Sequence, residues 1–210
     1  MRKPVAIDQI QRFFTGRRKH VIAFAGFGEL GYQDPQIVDR VVRSVLGAWQ
    51  PHQVLVTSGT LRRANGHDGI AEVYTIAQGL GFETAGIHPS VALDFADTHF
   101  VSAACEHVFF VDDPSWGGYQ DDKDLSPTLR AVLAVADELV VIGGGKHAAD
   151  ELEAFFTRGK SVRYFAAEMN HEFTNGWCDR SGVRITDYRG AAHTVWARVS
   201  AGAQPQDGSL

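Results

Sequence analysis

The chain lacks the features that mark several other classes of protein. Only two of its 210 residues are cysteine, Cys105 and Cys178, and their separation matches no zinc or redox motif. Such sparse cysteine is typical of the reducing cytosol, so we expect a cytoplasmic protein without disulfides. No apolar run approaches the ~18–20 residues that span a bilayer, and the N-terminus lacks the apolar core of a signal peptide. We therefore expect no membrane partner.

An excess of positive charge is also missing. Twenty lysines and arginines stand against 25 acidic residues, for a net charge of −5, and the basic cluster at 17–19 is small. This balance argues against a nucleic-acid partner. The nine histidines form no metal-binding motif, and the pair Asp112-Asp113 is interpreted as a turn cap in preference to a magnesium site. We predict neither a metal ion nor a resident cofactor.

Short apolar segments alternate with amphipathic ones along most of the chain, which is the pattern of parallel βαβ units. The predicted strands are 20–25, 53–57, 82–87, 108–111, 138–142 and 161–165. The expected fold is an α/β, Rossmann-like three-layer sandwich with a mainly parallel sheet and helices on both faces. Residues 1–200 are predicted to form a single domain, with 184–188 and 194–199 as a C-terminal β-hairpin and 201–210 as a frayed tail.

The segment from Val140 to His147 carries the most information, because a buried strand passes through Gly143, Gly144 and Gly145 to a helix start. Free amides and the positive end of the helix dipole favour an anion there, and glycine lets a ligand approach the backbone. Lys146 and His147 would lie beside a bound phosphate. The alternative is that such glycines only make the turn, as in many α/β proteins.

A dinucleotide fingerprint, G-x-G-x-x-G, is present at Gly26-Phe27-Gly28-Glu29-Leu30-Gly31. Two features argue against a nicotinamide-dependent oxidoreductase. Asp34-Pro35 indicates a helix that starts later than this fingerprint requires, and proline inside a running helix costs about 3 kcal/mol. The next strand also ends in Thr57-Ser58-Gly59-Thr60, not in the acidic residue that binds a ribose. Of the three functions considered for this chain, a nicotinamide-dependent oxidoreductase is therefore placed last.

Three junctions between strand and helix carry glycine or hydroxyl residues: Gly26–Gly31, Thr57–Thr60 and Gly143–Gly145. We expect them to meet in one crevice, because the carboxyl ends of parallel strands lie at the same edge of the sheet. Trp116, beside a glycine pair in the long loop 112–124, is positioned either to stack on a base as part of a lid or to pin the loop to the surface.

Together these junctions resemble the SLOG superfamily, the Rossmann-like group that includes the DNA-processing SMF proteins and the Lonely Guy phosphoribohydrolases. The resemblance covers about residues 20–167. The family motif PGGxGTxxE aligns with Gly143 to Glu151: the paired glycines and the glutamate match, whereas Gly143, His147 and Ala148 replace proline, glycine and threonine. Thr57 to Thr60, followed by Gly66, Asp68-Gly69 and Glu72, is similar to the family's second glycine-rich turn.

The resemblance implies a homodimer that binds a nucleotide or phosphorylated nucleoside derivative and hydrolyses its N-glycosidic bond, with Glu151 and Arg130 as the catalytic residues. The residues expected to bind the ligand are Gly26, Phe27, Gly28, Thr57, Ser58, Gly59, Thr60, Asp68, Gly69, Trp116, Gly143, Gly144, Gly145, Lys146 and His147. The alternative is a non-catalytic sensing or carrier domain with the same pocket, which the departures at His147 and Ala148 favour slightly.

Overall fold

A computed structural model describes residues 3–63, 69–120 and 124–202. The strands are β1 His20–Gly26, β2 Val54–Ser58, β3 Arg62–Arg63, β4 Glu83–Pro89, β5 His99–Phe100, β6 His107–Val111, β7 Glu138–Ile142 and β8 Ser161–Phe165. The helices are α1 Ile7–Arg17, α2 Ile37–Leu46, α3 Glu72–Gly79, α4 Pro127–Val135, α5 Lys146–Thr157, α6 His171–Ser181 and α7 Gly190–Gly202, with short 3₁₀ helices at Gly69–Ala71 and Ser90–Phe95.

Six strands form one parallel sheet in the order β6-β4-β2-β1-β7-β8. The strand order therefore reverses at β1, which pairs with β2 on one side and with β7 on the other. Gly26 at the end of β1 lies opposite Ile142 at the end of β7. A crevice opens at this point in doubly wound sheets, because the chain leaves the two strands toward opposite faces.

Alternate residues of the central strands face two separate cores, as the period of two in a strand requires. From β1, Val21 and Ala23 join a cluster under α1, α4 and α5, whereas Ile22 and Phe24 join one under α2 and α3. Helices thus cover both faces of the sheet. The predicted Rossmann-like sandwich is confirmed. Among the described residues, no helix has the length and apolarity needed to cross a membrane.

The predicted C-terminal hairpin is wrong. Residues 183–187 form no strand, and Gly190–Gly202 is helix α7, which packs on α5. Its inward residues Ala192, Val195, Trp196 and Val199 contact the core under α5. Their spacing is that of one helix face, which outweighs the weaker alternation on which the strand prediction depended. Of the predicted tail, 201–202 belong to α7 and 203–210 lie outside the described residues.

Helix α2 begins at Ile37, two residues after the Asp34-Pro35 signal. The Asp34 carboxylate accepts a hydrogen bond from the Gln36 amide at 3.0 Å, and its carbonyl accepts one from the Ile37 amide at 3.2 Å. Residues 27–36 therefore form a long loop after β1. The structure bears out this departure from the dinucleotide fingerprint, in which the helix begins near the second glycine.

Candidate ligand-binding cleft

A cleft of about 470 Å³ opens at the carboxyl edge of the sheet, beside the switch point between β1 and β7. Backbone from the ends of β1 and β2, the loop before α4 and the first turns of α5 enclose it. Its principal lining residues are Gly26, Gly28, Glu29, Gly59, Thr60, Phe95, His99, Trp116, Thr128, His147 and Glu151. Two of the three predicted junctions, those after β1 and β2, therefore meet in one crevice.

A smaller cavity of about 270 Å³ adjoins this cleft on the side of α6. The two share a wall made by Gly26, Gly28, Glu29, His147 and Ala148. The rest of the lining of the smaller cavity, the α6 cavity, consists of Phe27, Leu30, Gly145, Lys146 and Trp177. The start of α5 thus lies between two connected spaces.

The glycine-rich turn before α5 is only partly open. Gly143 and Gly144 have φ angles of +55° and +125°, which L side chains rarely adopt. A side chain on Gly143 would meet the Phe27 ring, and one on Gly144 would come within 2.5 Å of Ala148. Neither glycine borders a cavity, so their conformation serves the turn and its packing. The expectation that they contact the ligand is not supported by this placement.

Gly145 is the glycine of this turn that faces open space. A Cβ there would meet no atom within 4 Å, and the residue borders the α6 cavity. Gly145 is the N-cap of α5, and no side chain in the described part of the chain caps this helix. The first amides of α5 are therefore available to an anion at the positive end of the helix dipole.

Tyr32 closes the gap between β1 and β7, a role that the sequence analysis missed. Its hydroxyl donates a hydrogen bond to the Ile142 carbonyl at 2.9 Å and accepts one from the Phe27 amide at 3.0 Å. A side chain at Gly26 would collide with this hydroxyl. Gly26 is therefore required for a clamp that fixes the floor of the cleft, and burial raises the pKa of Tyr32 far above its ordinary value.

Only the second half of the turn after β2 borders the cleft. Gly59 and Thr60 line it, whereas Thr57 and Ser58 are buried, and the Ser58 carbonyl accepts a hydrogen bond from Tyr74. Gly69 does not border either cavity. It packs against the backbone of residues 27–28 with a φ of +49°. Asp68, which was expected to bind the ligand, lies outside the described residues.

The first turn of α5 is tied to the long loop by one carboxylate. Asp150 accepts a hydrogen bond from the Tyr119 amide at 3.1 Å and pairs with the Lys146 ammonium at 3.0 Å. The Lys146 side chain is 72% exposed and borders the α6 cavity, so its charge can also reach an anion there. His147 borders both cavities, and withdrawal of its ring from water lowers its pKa, which favours the neutral form.

Glu151 faces the main cleft one helical turn beyond His147. Within the described parts of the chain, no group donates a hydrogen bond or salt bridge to its carboxyl, and its pKa rises to about 8 because of burial and repulsion from Asp150. A carboxylic acid that stays protonated at neutral pH is a hydrogen-bond donor and a proton source. This is the chemically distinctive group of the cleft.

Arg130 does not reach the cleft. It is exposed on α4, whereas its neighbours Thr128 and Leu129 line the cavity. Successive residues of a helix point about 100° apart, so two neighbours facing the cleft turn Arg130 away from it. The expected pairing of Arg130 with Glu151 is therefore not formed in this structure.

Three rings form an aromatic wall at the mouth of the main cleft. The centroid of Trp116, which is 40% exposed, lies 5.3 Å from that of Phe95 and 5.0 Å from that of His99. The sequence pattern indicated Trp116 but neither Phe95 nor His99. Phe95 comes from a 3₁₀ helix and His99 from β5, which pairs with β3 at the end of the β2 turn. This wall is a suitable surface for a planar ring.

The loop that carries Trp116 is anchored by Asp113, which is fully buried. Burial works to raise the pKa of its carboxyl, but hydrogen bonds from Ser115 and from the Thr128 amide outweigh burial and lower the pKa. Asp113 therefore caps the start of α4 together with Ser126, whose hydroxyl accepts from the Leu129 amide at 3.1 Å. This is the turn-capping role that the sequence analysis assigned to the acidic pair.

No protein-family model matches the chain, and a search of curated proteins finds no match. Solved structures do match. A Moco carrier protein from Chlamydomonas reinhardtii superposes with a TM-score of 0.50 at 17% identity, covering 88% of this chain and 99% of that one. The structural-genomics target TM1055 gives a TM-score of 0.46 at 19% identity over 68% and 72% of the two chains. At 17% identity the likeness to the Moco carrier protein shows a shared Rossmann-like fold.

Proposed function

We propose that this chain binds a nucleotide or a phosphorylated nucleoside derivative in the cleft. One observation carries the proposal: the cleft with the aromatic wall of Trp116, Phe95 and His99 adjoins the cavity at the uncapped start of α5, and His147 borders both. The wall suits a base, and the free amides of α5 suit a phosphate. The two cavities adjoin along their shared lining residues, so one ligand can extend from the base site to the phosphate site.

The charges support a phosphate at the start of α5. Lys146 is the only lysine or arginine among the described residues that borders either cavity, and it lies beside Gly145. The main cleft instead presents Glu151, the neutral form of His147 and backbone at Gly28 and Gly59. An anion is therefore favoured at the α5 end, and a ring with hydrogen-bonding edges in the main cleft.

Hydrolysis of an N-glycosidic bond would use Glu151 as the acid. Water would add to the anomeric carbon and release one proton to solvent, the carbon–nitrogen bond would break, and the Glu151 proton would pass to the leaving nitrogen. A proton from solvent would then restore the Glu151 acid. A pKa of about 8 keeps that proton in place at pH 7. The arginine that the Lonely Guy resemblance pairs with this glutamate has no counterpart in the cleft among the described side chains, since Arg130 is turned away.

A carrier or sensor is the second candidate, and the position of Arg130 favours it. A pocket that only binds its ligand needs no partner for Glu151 beyond the ligand itself. The fold is also shared with a protein named as a Moco carrier. Both candidates use the same cleft, and the homodimer and the cytoplasmic location implied earlier stay predictions for either.

Incubation with AMP tests the proposal and separates its two forms. At 100 times its Kd a ligand stabilises the fold by about 2.7 kcal/mol, and each kcal/mol raises the Tm by roughly 2–4 °C in a chain of this size. We expect AMP to raise the Tm, and chromatography to show whether free adenine and ribose 5-phosphate appear. Release of base would establish the hydrolase, and its absence with a raised Tm the carrier. No Tm change with any nucleoside monophosphate would contradict the proposal.

A further inference from the structure

The main cleft alone has the volume of a small-ligand pocket, and the α6 cavity adds to that space. The main cleft, at about 470 Å³, already falls within the ~300–1,000 Å³ of pockets that hold small ligands. The α6 cavity adds about 270 Å³ on the far side of the α5 start. A phosphate at Gly145 and Lys146 would lie beside two of its lining residues and leave the side formed by Phe27, Leu30 and Trp177 to another group.

The α6 cavity has its own aromatic residue. Trp177 borders it, together with the apolar residues Phe27 and Leu30. The helix α6 that carries Trp177 is held against the loop after β1 by the Asn170 amide, which donates to the Gly31 carbonyl at 3.3 Å. Each cavity therefore contains a tryptophan, and the uncapped amides of α5 lie between the two.

The wall shared by both cavities carries a carboxylate. Glu29 is exposed and borders both spaces, next to Gly28. A carboxylate close to a phosphate site repels an anion but accepts hydrogen bonds from sugar hydroxyls, as acidic residues do in nucleotide sites. Glu29 is thus placed for the sugar of a ligand that extends to both sides of the α5 start.

From this arrangement we infer that the preferred ligand has two ring-bearing halves joined through a phosphate bridge, as in a dinucleotide. One ring lies against Trp116 and its aromatic wall, the bridge lies at the start of α5, and the second ring lies against Trp177. This inference rests on the proposed function, because it uses the same phosphate position. It uses Glu29 of the Gly26–Gly31 segment but not the helix start on which that fingerprint places a pyrophosphate, since α2 begins only at Ile37.

Titration calorimetry with AMP, ADP and NAD⁺ tests the inference. ADP carries the second phosphate without a second nucleoside, so the comparison of NAD⁺ with ADP isolates the second half of the ligand. We expect NAD⁺ to bind at least about tenfold more tightly than ADP, in keeping with the ~1–3 kcal/mol that stacking on an aromatic side chain contributes per base. The Trp177→Ala variant is expected to remove that advantage and to leave AMP affinity within about twofold.

Three further variants make the test specific. Trp177→Phe keeps an aromatic face and is expected to retain most of the advantage of NAD⁺ even if Trp177→Ala unfolds. Trp116→Ala is expected to weaken AMP and NAD⁺ alike. Trp49→Ala is the control, because Trp49 stacks on His20 at the opposite edge of the sheet, where β1 begins.

The outcomes separate this inference from the proposed function. If AMP binds but NAD⁺ binds no more tightly than ADP, or if both Trp177 variants keep the full NAD⁺ advantage, the two-part ligand is overturned and the nucleotide site stands. If none of the three compounds binds, both are overturned.

Discussion

Glu83 at the amino edge of the sheet and Glu151 in the cleft at the carboxyl edge lie in opposite environments. At the amino edge, Glu83 at the start of β4 pairs with Arg17 at 2.7 Å, with Lys19 at 2.9 Å and with His107 at 3.0 Å. Partial burial works to raise the pKa of the Glu83 carboxyl, but the hydrogen bonds from Arg17 and Lys19 outweigh it and hold the pKa at about 2. At the carboxyl edge, Glu151 has no such partner among the residues that the structure describes, and its pKa is raised to about 8.

The same edge rule extends to a second acid. Glu138, which begins β7, is paired with Arg163 of the neighbouring strand β8 and lies 3.7 Å from His20 of β1. Glu83 and Glu138 at the amino edge are therefore satisfied by the protein and join adjacent elements. The acid in the cleft keeps its hydrogen-bonding capacity for something outside the chain. This difference teaches where the molecule is built for stability and where it is built for binding.

The largest expected effect comes from adding a side chain at the carboxyl edge that caps the free amides at the start of α5. Gly145→Asp places a carboxylate at the N-cap of α5, in open space and with extended backbone. The side chain would accept hydrogen bonds from the first amides of α5 and raise stability by a few tenths of a kcal/mol. It would also block and repel a phosphate, so we expect AMP affinity to fall about tenfold or more, as measured by calorimetry.

Gly145→Ala is the matched control, since it adds a Cβ without a charge or a capping oxygen and is expected to keep AMP binding. Gly144 would be a poor position for this test, because any side chain there would collide with Ala148. Its φ of +125° is also one that L side chains rarely adopt. Unchanged AMP affinity in Gly145→Asp would remove the start of α5 from the site.

The second prediction tests the amino edge. Glu83→Gln is expected to lower the free energy of unfolding by about 1–2 kcal/mol at pH 7, because charged hydrogen bonds are lost from a partly screened network. The folded pKa of about 2 lies below the ordinary 4.5, so this contribution is complete above pH 4.5 and is lost as the pH falls toward 2. Urea unfolding should therefore show that the difference in free energy of unfolding between wild type and Glu83→Gln shrinks as the pH falls from 7 to 3.

Glu106→Gln is the control, because Glu106 is exposed just before β6 and forms no ion pair within the described residues. It is expected to change stability by less than about 0.5 kcal/mol, and neither variant should alter AMP binding. A constant difference between wild type and Glu83→Gln across this pH range would show that the carboxylate does not supply the stability.

The fold was predictable because its main signals are local. Buried strands such as Glu138–Ile142 are continuous apolar runs, and Ser126-Pro127 marks the start of α4 by capping chemistry that a few residues determine. The exception is α7, where Val195 and Val199 satisfy both the strand and the helix pattern. Packing against α5 decided between the two, and a short window of sequence does not contain that information.

The cleft was less predictable, because tertiary contacts decide which residues face it. Gly143 and Gly145 are equivalent in sequence, but the Phe27 ring covers the first and leaves the second open. Phe95 and His99 reach Trp116 through the pairing of β3 with β5, which has no local signature. The direction of Arg130 likewise depends on the rotation of α4 about its axis.

The smallest expected effect concerns Glu151 itself, and its sign is opposite to that of Glu83. Because the folded pKa of about 8 exceeds the ordinary 4.5, the folded state holds a proton that the unfolded state has released. Stability therefore falls as the pH rises from 4.5, and the loss is complete above about 8. Because the amide side chain of Glu151→Gln cannot ionise, we expect the free energy of unfolding of this variant to exceed that of wild type by about 1 kcal/mol at pH 9. This value is smaller than the full pKa shift implies, because solvent in the cleft screens the charge.

Urea unfolding at pH 6 and pH 9 measures this difference, with Glu153→Gln as the control on the same helix. Glu153 is paired with Arg198 at 2.7 Å and does not border the cleft, so its removal should change both values by the same amount. A Glu151→Gln protein that gains nothing over wild type at pH 9 would mean that the cleft carboxyl ionises as easily as a surface one. The contrast between the two edges would then reduce to the salt bridges at the amino edge alone.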